Sequence, residues 1–391
     1  MRPLEGITVV SLEQAVAAPF AARQLADLGA RVIKIERPDV GDFARGYDAT
    51  VRGLSSHFVW LNRSKESLTL DLKRAEAIEV LHRLLEKADV FLQNLAPGAT
   101  ERLGFVTKEL RKKYPRLIIC DLSGYGSSGP YRDKKAYDML IQAETGVISI
   151  TGTEETPCKV GISVADIACG MYAYSGILTA LLVRAKTGEG VALETSLLDS
   201  LGEWMSYAAY YTMAGSAPPR TGAYHATIAP YGPVLSRDNK VVYLGLQNER
   251  EWKKFCELVL GNPGLASDSR FDSNAKRVQN RRQLDVAMRE VFQKLTAAEI
   301  IARLDAAQIA NARLNTVQEF VEHPQLQARK RWSTVNSPVG SLPALFPPVT
   351  MEDVEPVMKE VPELGQHTDA ILGEFGFDRD TIARWRHEKI I

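Results

Sequence analysis

Cysteine, histidine and net charge are all scarce in this 391-residue chain, and each scarcity removes a class of function. The four cysteines, Cys120, Cys158, Cys169 and Cys256, show no CxxC spacing. Cys120 and Cys169 stand in apolar runs, where small buried thiols are common, so neither a disulfide scaffold nor a thiolate metal site is indicated. The six histidines (His57, His82, His225, His323, His367, His387) form no i,i+4 pair and none stands by a cysteine pair, so no metal is expected. Lys plus Arg and Asp plus Glu number 48 each, leaving no overall field to draw nucleic acid or an anionic membrane to the surface. An anionic ligand must find a local basic pocket. No GxxxxGK[ST] loop is present to cradle phosphates. The opening Met1-Arg-Pro-Leu-Glu-Gly-Ile7 carries an acid and no sustained apolar core, so no secretory signal is read there and a reducing cytoplasm is the expected compartment.

What is present is an average globular composition, 45% hydrophobic, 25% charged and 8% aromatic, over a length that suits roughly two or three domains. The first 125 residues alternate short β-branched runs with amphipathic stretches, the pattern of parallel βαβ units. Strands are expected at Ile7–Leu12, Arg31–Ile35, Asp89–Gln93 and Leu117–Cys120, with helices at Pro19–Leu28 and Ala75–Lys87. These predict a doubly wound α/β sheet. Asp166–Val183 is almost wholly apolar or small, which predicts a helix buried on every face; a membrane span is the competing reading, opposed by its shortness, by Asp166 and by Gly170 and Gly176. Turn formers near Ala214–Pro219 mark a linker, followed by helical patterns at Trp252–Leu260, Arg281–Leu295 and Ala297–Leu304. The expected organisation is a large Rossmann-like domain over 1–213, a linker over 214–225, a small α/β domain over 226–325 and a C-terminal segment, 326–391, returning to the large domain. The tail Thr368–Arg386 reads as helical with a break at Phe375-Gly-Phe377.

Gly124-Tyr-Gly-Ser-Ser-Gly129 matches GxGxxG, but Pro130 and a polar loop follow where a dinucleotide site needs a helix N-terminus. It reads as a glycine-rich turn at a strand's carboxyl end. Basic residues recur near strand ends, at Arg37, Lys73, Arg102 and Lys135; singly each reads as solvated surface, together they suit a ligand with several phosphates. Asp166, opening an apolar helix, admits two readings. It is either a helix cap whose carboxylate accepts backbone N–H bonds, or a nucleophile kept persistently anionic by the helix end in a water-poor crevice.

Ordered blocks along nearly the whole chain resemble the family III coenzyme A transferases. They are Val32-Ile-Lys-Ile-Glu-Arg-Pro38 with Gly41-Asp42, Asn62-Arg-Ser-Lys-Glu-Ser-Leu-Thr-Leu-Asp-Leu-Lys73, Gln93-Asn-Leu-Ala-Pro-Gly98 and Ser123-Gly-Tyr-Gly-Ser-Ser-Gly-Pro130. Ala136-Tyr-Asp138, Gly161-Ile-Ser-Val-Ala-Asp-Ile-Ala-Cys-Gly170, Lys186-Thr-Gly-Glu-Gly190 and Leu364-Gly-Gln-His-Thr368 complete the set. The resemblance implies two ring-like chains interlocked as a homodimer, coenzyme A thioester as substrate with no permanently bound cofactor, and a small carboxylic acid as the other substrate. It places the nucleophile on Asp166 and CoA contacts on Arg37, Leu70, Lys73, Asn94, Leu95, Arg102, Lys135 and Tyr137, with Ala15 beside the thioester.

Two departures narrow the substrate. Val16 stands where some members carry a glutamine, with Gln14 two positions earlier, and Gly245-Leu-Gln-Asn-Glu249 replaces a four-glycine run. Both argue against formyl or oxalyl groups. His225-Ala-Thr-Ile-Ala-Pro-Tyr231 resembles the segment in members acting on four- to six-carbon dicarboxylates, and Arg45, Tyr47 and His225 are candidates for a remote carboxylate. Succinyl-CoA is the expected donor and an itaconate, citramalate, mesaconate or glutarate type of acid the acceptor. Two alternatives stand beside this: an α-methylacyl-CoA racemase, opposed by Tyr137-Asp138 where racemases carry His-Asp, and a CoA-binding protein without catalysis.

Overall fold

The computed structural model describes residues 2–391. Contacts divide them into two compact units, one made of residues 2–145, Val160–Ser206 and Gln325–Ile391, the other of Gly146–Lys159 and Tyr207–Pro324.

The first unit is built on six parallel strands: β1 (Thr8–Leu12), β2 (Arg31–Glu36), β3 (Lys65–Thr69), β4 (Val90–Gln93), β5 (Ile118–Ser123) and β6 (Ala192–Ser196), in the order β3-β2-β1-β4-β5-β6. Successive residues of a strand point to opposite faces, so near-continuous apolar runs mean that both faces are covered. Val9, Val32 and Val90, in register with one another, enter a core with helices α1 (Ala17–Asp27) and α4 (Val164–Thr187). Their neighbours Val10, Ile33 and Phe91 enter the opposite core, under helix α2 (Ala75–Lys87). That second core also takes Ile371, Leu372 and Trp385 from the C-terminal helices Thr368–Glu374 and Arg379–His387, which break at Gly376 with φ +88°, and Ile390 from the residues after them. Strand order reverses between β1 and β4, and in open α/β sheets this reversal leaves a crevice at the carboxyl ends of the strands.

Alanine makes α1 thin: Ala17, Ala18, Ala21, Ala22 and Ala26 are buried, and α4 packs directly on them. The approach is close enough that a Cβ at Gly170 would stand 2.6 Å from the Ala17 carbonyl oxygen. The expectation that α4 is buried on every face does not hold in the single chain. Ala165, Cys169, Ala173, Ile177 and Ala180 face the sheet and α1, whereas Met171, Tyr172, Leu182 and Val183 are exposed, because a sheet covers only one side of a helix. At its far end the buried Arg184 pairs with Asp89 at 2.9 Å.

The second unit carries three antiparallel strands, β7 (Tyr231–Leu235), β8 (Val241–Gly245) and β9 (Ala310–Arg313), in that order. Helices Glu249–Lys254, Arg281–Phe292 and Ala297–Ala306 close its core around Trp252, Phe255, Leu284 and Ile300, and a π turn extends the first through Phe255–Val259. Thr296 and Glu299 form a reciprocal cap at the start of the third.

Candidate active site

Helix α3 (Asp138–Glu144) and the start of α4 create an unusual pair of carboxylates. Ser163 flanks α4 but its side chain makes no capping bond. The job passes to Asp138: its Oδ1 accepts from the N–H groups of Ala165 (2.8 Å) and Asp166 (3.4 Å), and its Oδ2 accepts from Gln142 at 2.7 Å. Asp166 is therefore not the cap, and one of its two sequence readings falls. No hydrogen bond reaches its carboxylate among the described residues, and burial, with the Asp138 charge added, pushes it up to about 7. The expectation of a persistently anionic group is corrected for the same reason: the first-turn amides that would hold its charge are spent on Asp138.

A fully paired cluster lies beneath the neighbouring turns, and sequence reasoning missed it. Lys34 on β2 and Lys65 on β3 point into the core with no exposure, where Glu13 receives Lys65 at 2.5 Å and Lys34 at 3.3 Å. Lys34 also reaches Asp42 at 2.7 Å, and Arg45 grips Glu36 with two bonds of 2.8 Å. Burial by itself would raise Glu36; the hydrogen bond from Arg45 and the charge of Lys34 overcome it and bring Glu36 down to about 2. Burial brings Lys65 down to about 8 despite Glu13. Three acids and three bases here cancel. The available signal was a lysine and a glutamate at alternate positions of the buried run Val32-Ile-Lys-Ile-Glu36, which no solvated face accommodates.

The residues expected to contact CoA all follow strand ends. Ala15 lies beyond β1, Arg37 beyond β2, Leu70 and Lys73 beyond β3, Asn94, Leu95 and Arg102 beyond β4, and Lys135 and Tyr137 beyond β5. Arg37, Lys73, Arg102, Lys135 and Tyr137 are exposed; Leu70 is buried. Arg37 and Arg102 each touch a backbone carbonyl, of Gly41 at 3.2 Å and of Pro97 at 3.3 Å. Asn94 bridges the reversal point: it accepts from the Gln14 N–H at 2.8 Å and donates to the Gln14 carbonyl at 2.9 Å. The next residue, Ala15, has φ +62°, a left-handed conformation uncommon for a residue with a Cβ.

Among the three candidates for a remote carboxylate, the placements diverge. Tyr47 is half-exposed, its ring stands edge-on to His57 at 5.5 Å, and burial together with the charges of Asp42, Asp166 and Tyr137 pushes its hydroxyl up to about 12. Tyr47 is thus one of the groups on which the Asp166 charge acts. Arg45 is engaged: besides Glu36 it covers the Phe58 ring at 3.7 Å. His225 belongs to the second unit, stacked on Tyr231 at 5.1 Å, with its Nδ1 accepting from the Thr227 N–H at 3.2 Å. Gln14 Oε1 accepts from Phe43 N–H at 3.3 Å, and Asn248 caps the helix that follows β8. Among the described residues no group of His, Cys, Asp and Glu is arranged to hold a metal.

Comparison with known proteins gives consistent results. The profile described as CoA-transferase family III matches residues 4–368. A succinyl-CoA:glutarate CoA-transferase of Mus musculus is 32% identical over 379 residues, covering 96% of this chain and 86% of the mouse protein. An acetyl-CoA:oxalate CoA-transferase of Acetobacter aceti is 36% identical over 330 residues, covering 84% of each. The crystal structure of a CAIB/BAIF family protein from Brucella suis superposes with a TM-score of 0.83 at 32% identity, covering 96% of this chain and 99% of the other.

Proposed function

The chain belongs to CoA-transferase family III, and on that premise we propose that it moves coenzyme A from a donor acyl-CoA, succinyl-CoA in the first instance, to an acceptor dicarboxylate by way of Asp166. The observation that carries the proposal is the uncommitted Asp166 carboxylate, raised to about 7 at the start of a helix already capped by another acid. A half-ionised carboxylate at neutral pH is a nucleophile whose charge is only weakly solvated.

Four steps follow from that chemistry. Ionised Asp166 attacks the donor thioester carbonyl, the C–S bond breaks, and CoA thiolate departs, leaving an aspartyl–acyl anhydride. The thiolate attacks the aspartyl carbonyl and expels the donor as its carboxylate, giving an aspartyl-CoA thioester. The acceptor carboxylate attacks that thioester, forming a second anhydride and freeing the thiolate again. Thiolate then takes the acceptor's acyl carbonyl, and Asp166 leaves as the free carboxylate. Exchanging one thioester for another is nearly isoenergetic, so the protein's task is to orient the partners and exclude water from two hydrolysable intermediates.

The exposed cations Arg37, Lys73, Arg102 and Lys135, all following strand ends, are assigned to the phosphates of CoA, with Leu70, Leu95 and Tyr137 lining its path and Ala15 and Asn94 at the thioester end. Tyr47 is assigned to the acceptor's remote carboxylate, since a hydroxyl that resists ionisation donates a hydrogen bond near Asp166. Arg45 joins that assignment once substrate displaces its contact with Glu36. Glutarate, itaconate, citramalate and mesaconate are the acceptor type in view. The exposed apolar side of α4, Met171, Tyr172, Leu182 and Val183, supports a homodimer in which a second copy covers it. Racemisation would need a second base beside Asp166, and Asp138 is engaged in capping.

Incubation with succinyl-CoA followed by hydroxylamine or borohydride, with peptide mass spectrometry, tests the reading. A modification confined to Asp166, and CoA appearing on glutarate or itaconate, are expected. An unmodified Asp166 with no acyl exchange overturns it, and exchange restricted to monocarboxylates overturns the acceptor assignment.

A further inference from the structure

Asp42 is fully buried and belongs to no step described so far, yet its side chain has three partners and its backbone N–H a fourth. Its Oδ1 accepts from the Ala15 N–H at 3.0 Å and from the Ala44 N–H at 2.9 Å, its Oδ2 receives Lys34 at 2.7 Å, and its own N–H donates to Glu36 at 3.0 Å. One oxygen thus ties together two backbone segments from different strand ends. The first is the turn holding Ala15 in its left-handed conformation, which costs energy for any residue with a Cβ and persists only where the surroundings impose it. The second is the 3-10 turn Phe43–Gly46, which delivers Tyr47.

Each segment has one link to the start of α4. Gly170 lies one helical turn after Asp166, and its contact with the Ala17 carbonyl brings the residues leading into α1 alongside the first turns of α4. Tyr47, three residues beyond Ala44, feels the charges of Asp42 and Asp166 alike. Lys34 meets the other oxygen, Oδ2, so the two amide bonds accepted by Oδ1 lie outside the ion pair.

We propose that Asp42 is a positioning residue for acyl attack: by accepting from Ala15 and Ala44 with one oxygen it locks the Ala15 turn and the Tyr47 turn in a single geometry against Asp166. This rests on Asp166 being the nucleophile of a CoA transferase. The role belongs to the acceptor oxygen and not to the charge, which separates it from a merely structural ion pair. Replacing a buried pair as a unit by apolar residues of similar volume avoids stranding either charge.

The test compares two such replacements, Lys34→Met/Asp42→Asn and Lys34→Met/Asp42→Leu, which share a neutral site and differ in whether an oxygen faces Ala15 and Ala44. The asparagine form is expected to turn over at least tenfold faster than the leucine form, with KM for the acyl-CoA within threefold between them. Equal kcat values, or a difference carried by KM, overturn the proposal. Should the leucine form not fold, amide hydrogen exchange on the wild type decides: protection of the Ala15 N–H by at least a hundredfold is expected, and exchange at the rate of an open peptide overturns the lock. Wild-type acyl exchange is measured alongside. Exchange by the wild type with no gap between the variants removes only Asp42's role, whereas no exchange by the wild type with any donor overturns the transferase reading and this inference with it.

Discussion

Two groups of carboxylates in the same unit meet the low-dielectric interior in opposite ways. Around Glu13, Glu36 and Asp42 every charge has a partner, and Glu36 falls to about 2. At the start of α4, Asp138 is satisfied by backbone amides and the half-buried Asp166 carboxylate has no hydrogen-bond partner among the described residues, so it rises to about 7. Burial acts on Glu36 and Asp166 with the same sign; pairing decides the outcome. A chain that compensates six charges in one place and leaves one carboxylate uncompensated in another has the electrostatics expected if Asp166 is the proposed nucleophile.

The sharpest way to break this contrast is to remove its odd member. Asp166→Ala should lower acyl exchange about 10⁴-fold with the fold intact, measured by chromatography of the CoA esters and by circular dichroism. Full turnover in that variant would end the argument. The paired region should respond in stability instead. Glu13→Ala strands Lys65, whose carboxylate partner it is, and should cost about 3–5 kcal/mol in urea unfolding.

The pH profile tests whether Asp166 is as uncompensated as it looks. Attack needs the ionised form, so kcat/KM should rise about tenfold per pH unit below about 7 and level off above it. A profile flat from pH 5 to 8 would place Asp166 with the paired group. Stability follows the same shift. The folded-state value of about 7 lies above the ordinary 3.8, so the folded state holds the proton more tightly and loses stability as pH climbs from about 4 to 7. Asp166→Asn cannot ionise and should be more stable than wild type by up to about 4 kcal/mol at pH 8, with the gain vanishing near pH 4, as thermal melts would show. The smallest effect is expected at the rim: Lys73→Ala or Arg102→Ala should raise KM for acyl-CoA a few-fold at unchanged kcat, less so in high salt.

Much of the large unit was legible in advance. The β-branched runs at Ile7–Leu12, Arg31–Ile35, Asp89–Gln93 and Leu117–Cys120 all became strands of one parallel sheet, and Ala75–Lys87 became α2 over the same bounds. These runs stand out because both faces of the sheet are covered, which leaves the strands almost continuously apolar. The exposure of α4 was not legible, since an all-apolar helix reads alike whether this chain or another surface covers it. Asp166 was singled out but could not be told from a helix cap, because the residue that took over the capping, Asp138, is 28 positions away.

Local pattern thus determined the strands and helices of the large unit, and the family resemblance pointed to Asp166. Only the tertiary structure decided which acids are paired. Glu13 and Lys65 stand 52 positions apart, and Asp42 and Ala15 stand 27 apart. A side chain's charge state depends on the dielectric and the partners around it, and those are assembled from remote segments when the sheet closes.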